Sequence, residues 1–209
     1  MRSVRQDWFQ DWFEGWRLFG VLTLTLIALC IWIAGMRQFE ADGIRMVVRF
    51  TARTSLLLFC LAFSAAALAR LYPNAGTRWL RRNRRALGVS FAASHGLHAI
   101  AIGAFAATDP AGFAAATNLA SYVFGGIGYG FIIAMTAASF DRTAAAIGPR
   151  AWRMLHLVGG YYLLLQFMVS FGKRIPDMPL YGLFLIPLLA VLALRLIAMA
   201  RTERAIPAG

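Results

Sequence analysis

The chain is poor in acidic residues, in cysteine and in histidine. Nine Asp and Glu stand against 21 Lys and Arg, giving a formal net charge of +12, yet only 14% of the 209 residues are charged. A soluble domain carries about a quarter, so a soluble globular class is excluded. The two cysteines, Cys30 and Cys60, fall inside apolar stretches without metal-site spacing. That excludes a disulfide framework, and both read as small buried or lipid-facing hydrophobes. No Gly-x-Gly-x-x-Gly pattern joins a strand to a helix, and nine residues follow the last apolar run. A flavin or nicotinamide domain within the chain is therefore not expected. The first apolar run is long enough to span and lacks a small-x-small cleavage site, so no cleavable signal peptide is expected either.

What is abundant is hydrophobic sequence, 60% of the chain. It is distributed in six runs: about Trp16–Met36, Thr54–Leu71, Ala86–Ala107, Ala115–Phe140, Ala151–Phe171 and Met178–Ala200. Each approaches the ~20 apolar residues that cross a bilayer. The expected architecture is an all-α integral membrane bundle of six transmembrane helices spanning residues 16–200. It is flanked by an N-terminal segment, 1–15, and a short tail, 201–209. In the first segment Trp8, Trp12 and Trp16 recur every four residues, which predicts a short amphipathic helix in the headgroup layer. Pro73–Arg85 and Asp141–Arg150 read as basic loops.

Six spans put both termini on one side. Fourteen arginines in the flanks and loops belong to that side. The other has five basic residues: Arg37, Arg45, Arg49, Lys173 and Arg174. The positive-inside rule then places both termini in the cytoplasm. The arginines serve topology, and no nucleic-acid partner is needed to explain them. Membrane lipids are the expected surroundings. Arg45, Arg49 and Arg53 share one face at the start of the second span. They either snorkel to phosphates or pair with an anionic cofactor group such as a haem propionate.

All three histidines lie in two spans: His95 and His98 in the third, His156 in the fifth. Ionisable groups inside membrane helices are costly and commonly functional. Small residues flank them: Ala92, Ser94, Ala99 and Ala101 around the first pair, Gly159 and Gly160 after His156. Gly125, Gly126, Gly128 and Gly130 in the fourth span allow a neighbouring helix, or a flat ligand, to approach closely. Imidazole ligands beside small residues suit a haem iron. Counting from the outer helix ends, His95 lies within about 4–5 Å of the depth of His156 and His98 within ~9 Å. That leans to His95 as the partner of His156 without deciding. The alternative is a haem-free transporter or structural membrane subunit, with histidines that handle protons or pack.

The run Arg84-Arg85-x-Leu87-Gly88 leads to Leu97-His98. Later come Phe140-Asp141-Arg142, Gly148 and Trp152-Arg153-Met154-Leu155-His156, followed by Tyr161-Tyr162. In this ordered pair of motifs the chain resembles the ferric-reductase-like transmembrane domain family. That is the haem-carrying module of ferric reductases, NADPH oxidases and the membrane subunit of the methionine-sulfoxide reductase system. The resemblance implies six helices with haem b between the third and fifth, and by position it aligns His98 and His156 with the family's ligands. A further histidine of many relatives falls here on Val169, which predicts one haem rather than two. The implied function is a membrane b-type cytochrome, an electron-transfer oxidoreductase subunit that passes single electrons to a separate acceptor. Its donor would be a separate reductase, a flavin such as FMN, or a quinol. The implied setting is a bacterial inner membrane.

Overall fold

The structure is a computed structural model that describes residues 13–203. Trp8 and Trp12 of the predicted interfacial helix lie outside them. All the regular elements described are helical: α1 Gly15–Gly35, α2 Ala41–Leu71, α3 Ala75–Arg82, α4 Arg84–Thr108, α5 Pro110–Ala116, α6 Leu119–Ala137, α7 Asp141–Gly172, a 3-10 turn Pro179–Phe184, and α8 Leu185–Glu203. Six of these stretches are long and apolar enough to cross a membrane: α1, α2, α4, α6, α7 and the segment Pro179–Arg201. The chain is accordingly read as a multi-pass membrane protein. Large apolar side chains such as Leu24, Ile133 and Leu180 are exposed on its outside. In lipid this satisfies them, and the helices satisfy their own backbones.

Two stretches read as loops are largely helical. In the first, the Asn74 side chain accepts from Thr77 N–H while Thr77 Oγ1 accepts from Asn74 N–H, both at 3.0 Å. This reciprocal cap starts α3, and Arg81 and Arg82 in its last turn suit the negative end of the helix dipole. In the second, Asp141 begins helical turns that run into the fifth span with one break at Gly148, φ 76°. A side chain would be strained at that angle. Pro149 follows and starts the next helical segment, where its missing N–H costs nothing. The sixth span likewise opens with the Pro179–Phe184 3-10 turn.

Buried Asn83, between α3 and α4, accepts from Gly15 N–H at 2.7 Å and donates to Trp79 O at 3.1 Å. It ties the start of α1 to the start of α4. The bundle is organised around α2, which packs most extensively on α4 and also on α1, α3 and α8. Small hydroxyl residues make that seam possible. Thr51, Ser55 and Ser94 are fully buried, and Ser94 Oγ lies 3.0 Å from both Ser55 Oγ and Thr54 Oγ1. Small polar residues let membrane helices approach and hydrogen-bond across the contact. Beside the seam stands a column of rings, Phe59, Phe91, Phe167 and Phe171, with neighbouring centroids 5.4–6.3 Å apart.

Candidate functional site: two cavities, three histidines

Two cavities open inside the bundle. The larger, about 790 Å³, is bounded by α2, α4, α6, α7 and α8 near the end of the bundle where α4 begins. The smaller, about 180 Å³, lies between α2, α4, α6 and the last turns of α7. Cofactor pockets generally run from about 300 to 1,000 Å³. Only the larger has room for a macrocycle.

His156 lines the larger cavity. Its Nδ1 is 3.0 Å from Trp152 O, and its ring stacks on the Trp152 indole at 4.3 Å between centroids. A carbonyl only accepts, so Nδ1 carries the proton and Nε2 keeps its lone pair. This is how metal-ligating histidines are commonly fixed. Trp152 is itself held, donating from Nε1 to Ala138 O at 2.9 Å. The cavity wall is mostly apolar, with Gly88 and Ala145 keeping it wide and Arg84, Arg85, Arg153 and Arg195 contributing positive charge.

His95 and His98 line the smaller cavity. The Nδ1–H of His98 donates to Val48 O at 3.1 Å and faces Thr51 Oγ1 at 3.0 Å. Thr51 Oγ1 spends its own proton on Val47 O at 2.7 Å. His95 is packed by Phe91, His98, Tyr129 and Phe167, with centroids 5.0–6.1 Å away. Its Nδ1 is buried without a partner, as is Gln166 Oε1 on the same wall.

The structure therefore brings His95 and His98 together but does not bring either to His156. His95 sits beside Phe167, eleven residues beyond His156 on α7, or about 16 Å at 1.5 Å per residue. Counting depths from the outer helix ends assumed that those ends are level, and they are not. Lys173 and Arg174, just past the end of α7, line the small cavity at the height of His98. Meanwhile α4 continues ten residues further, to Thr108, packed against α1 and α2 through Ala101, Cys30, Ala34 and Val47.

The arginine triplet is placed elsewhere too. Arg45 lies over Phe105 at 4.9 Å, Arg53 over Phe184 at 5.4 Å and Tyr181 at 5.8 Å, and Arg49 is exposed. None of the three lines either cavity. Cys30 and Cys60 are buried and free, as expected. Of the four glycines of α6, only Gly128 makes a close approach, to the Gln166 side chain. Gly159 and Gly160 are packed by Met135, Phe131 and Phe63 rather than left open for a ligand.

Sequence reading passed over Arg195, a single charge in the apolar sixth span. It also passed over the Thr51, Thr54 and Ser55 hydroxyls that anchor the third span. The charge of Arg195 within a run of leucines and alanines was the available signal. Among the described residues, no group of three His, Cys, Asp or Glu side chains could hold a metal ion. No family model, curated protein or solved structure matches the chain.

Proposed function

We propose that this protein is a membrane b-type cytochrome of the ferric-reductase-like kind, passing single electrons between a separate donor and a separate acceptor. The observation that carries the reading is His156. It stands on the wall of a cavity large enough for a macrocycle, with its Nδ1 proton committed to Trp152 O. Haem b bound there would supply a one-electron Fe(III)/Fe(II) couple. His156 Nε2 would hold the iron, the Trp152 ring stacks on the imidazole and would set its plane, and a mostly apolar wall would take the macrocycle. His95 and His98 face a different and smaller cavity, so neither would hold that iron.

The basic flanks orient the chain with both termini in the cytoplasm, so the larger cavity lies toward that side of a bacterial inner membrane. An electron donor, whether a reductase, a flavin such as FMN or a quinol, would approach there. The acceptor would be met at the opposite face.

The test is the absorption spectrum of the detergent-purified protein, oxidised and dithionite-reduced, with haem quantified per chain. One haem per chain in the wild type and none in His156→Ala is the expected outcome. Full haem content in His156→Ala would overturn the assignment.

The small cavity favours a second reading. Unpaired His95 Nδ1 and Gln166 Oε1 beside His98 would suit proton handling in a haem-free transporter. A colourless protein from cells supplied with haem would select it.

A further inference from the structure

Arg195 sits ten residues into α8, and its side chain turns inward rather than toward the Arg201 end of the helix. Its guanidinium lies 3.9 Å from the centroid of Phe63 and 5.2 Å from that of Tyr161. Nη1 donates to Phe63 O at 3.1 Å, and Nε donates to Tyr161 OH at 3.4 Å. A guanidinium has five N–H donors, so most of its capacity remains unused and faces the larger cavity. Arg84 lines the same cavity, 5.9 Å over the Trp152 ring. The two guanidiniums act on each other as like charges.

Among the described residues, neither Arg84 nor Arg195 has a carboxylate partner. The ion pairs found among the described residues are Arg82–Glu14 and Arg85–Asp141, so the acidic groups nearby are already engaged. Charged residues within a membrane bundle almost always pair, and breaking or withholding a partner is costly. Arg153 on the same wall is exposed to solvent, but half-buried Arg84 and Arg195 leave the cavity short of two negative charges.

We infer that Arg195 and Arg84 form a two-cation clamp for a ligand carrying two carboxylates, and that these hold the cofactor of the larger cavity through its propionate groups. The inference rests on the cytochrome reading above. It moves the carboxylate contacts from the arginines of α2 to the sixth and third spans. Arg195 also has a rigid seat, fixed by the Phe63 ring below and the Phe63 carbonyl beside it, which suits planar carboxylate recognition.

The experiment compares haemin with haemin dimethyl ester, whose carboxylates are neutralised, on full-length protein in nanodiscs. Binding is followed by absorption for the wild type, Arg195→Met, Arg195→Lys and Arg84→Met. The wild type is expected to prefer the free acid by about tenfold or more, equivalent to ~1.4 kcal/mol. Arg195→Met and Arg84→Met should each reduce that preference by at least about threefold, and Arg195→Lys should retain part of it. Because each ratio compares two ligands on one variant, partial loss of folded protein does not mimic the effect. Should Arg195→Met bind neither ligand, the ratios of Arg84→Met and Arg195→Lys decide.

A wild type that binds both forms equally would overturn the clamp and leave the cytochrome reading standing. It would point instead to a lipid phosphate on these arginines. A wild type that binds neither would overturn both. A second readout is the midpoint potential, which should become more negative in Arg195→Met, since removing a cation favours the ferric state.

Discussion

The two cavities differ in what they hold and in what their walls do. The small one has two histidines, a glutamine and a tyrosine, but only about 180 Å³ between them. The large one has one histidine and about 790 Å³, lined by arginines and aromatic rings. Histidine number is thus a poor guide to where a macrocycle would sit. Space and a committed Nδ1 proton are better ones. His98 does share the second feature, through Val48 O, but it faces a cavity below the usual size of cofactor sites. A partition of rings divides the two: Phe91 lines the large cavity and lies 5.6 Å from His95, and Phe59 lies 5.4 Å from Phe167.

The comparison is broken most decisively by exchanging histidine losses. His156→Ala should remove essentially all haem, whereas the double variant His95→Ala/His98→Ala should keep at least about half, because His95 and His98 line the other cavity. The measurement is haem per folded chain after size-exclusion chromatography. If the double variant is as empty as His156→Ala, the two cavities act as one site.

A gentler intervention fills the large cavity without touching a ligand. A Cβ at Gly88 meets nothing within 4 Å outside its own helix, and Gly88 lines the cavity wall. Gly88→Leu should therefore lower haem content several-fold. It should leave thermal stability unchanged or raise it, since leucine favours helix over glycine by roughly 0.5–1 kcal/mol. Gly160→Leu is the contrast. Its side chain would collide with the Phe63 ring, and overpacking of this kind typically costs about 1–3 kcal/mol. Loss of haem from Gly160→Leu with loss of stability, against loss from Gly88→Leu without it, separates occupancy from folding.

The six spans were legible because run length and hydropathy are properties of local sequence. So were the buried cysteines and the placement of histidines on two helices. Relative depth was not legible. It depends on α7 ending at the height of His98 while α4 runs on to Thr108, and no local pattern encodes where one helix ends against another. The arginines illustrate the same limit. Arg45, Arg49 and Arg53 form a periodic group in the sequence, yet Arg45 and Arg53 meet aromatic rings outside both cavities. Arg195 and Arg84 have no sequence relation to each other and come to one cavity wall only through the fold.

The polar seam of α2 and α4 gives the smaller expected effects. Ser94 Oγ serves both Ser55 and Thr54 at 3.0 Å, and hydrogen bonds between membrane helices average about 0.6 kcal/mol with values to ~1.7. Ser94→Ala should cost about 1 kcal/mol in a detergent-denaturation titration. It should also perturb the small cavity before the large one, because Ser94 adjoins His95 in the chain.

Thr51→Val probes the comparison most finely. Valine has nearly the shape of threonine, so the fully buried site is refilled and only Oγ1 is lost. His98 Nδ1–H then keeps Val48 O at 3.1 Å as its acceptor, and Val47 O is already engaged by the helix. The expected cost is below ~1 kcal/mol, the scale of one net hydrogen bond whose partner is otherwise satisfied. Nitrogen NMR of labelled histidine should still show His98 protonated at Nδ1, and haem content should match the wild type. A loss of about 2 kcal/mol or more would mean that Thr51, not Val48, fixes the ring. A change in haem content from this substitution would show that the His98 side of the ring partition acts on the large cavity, and the division between the two cavities would have to be redrawn.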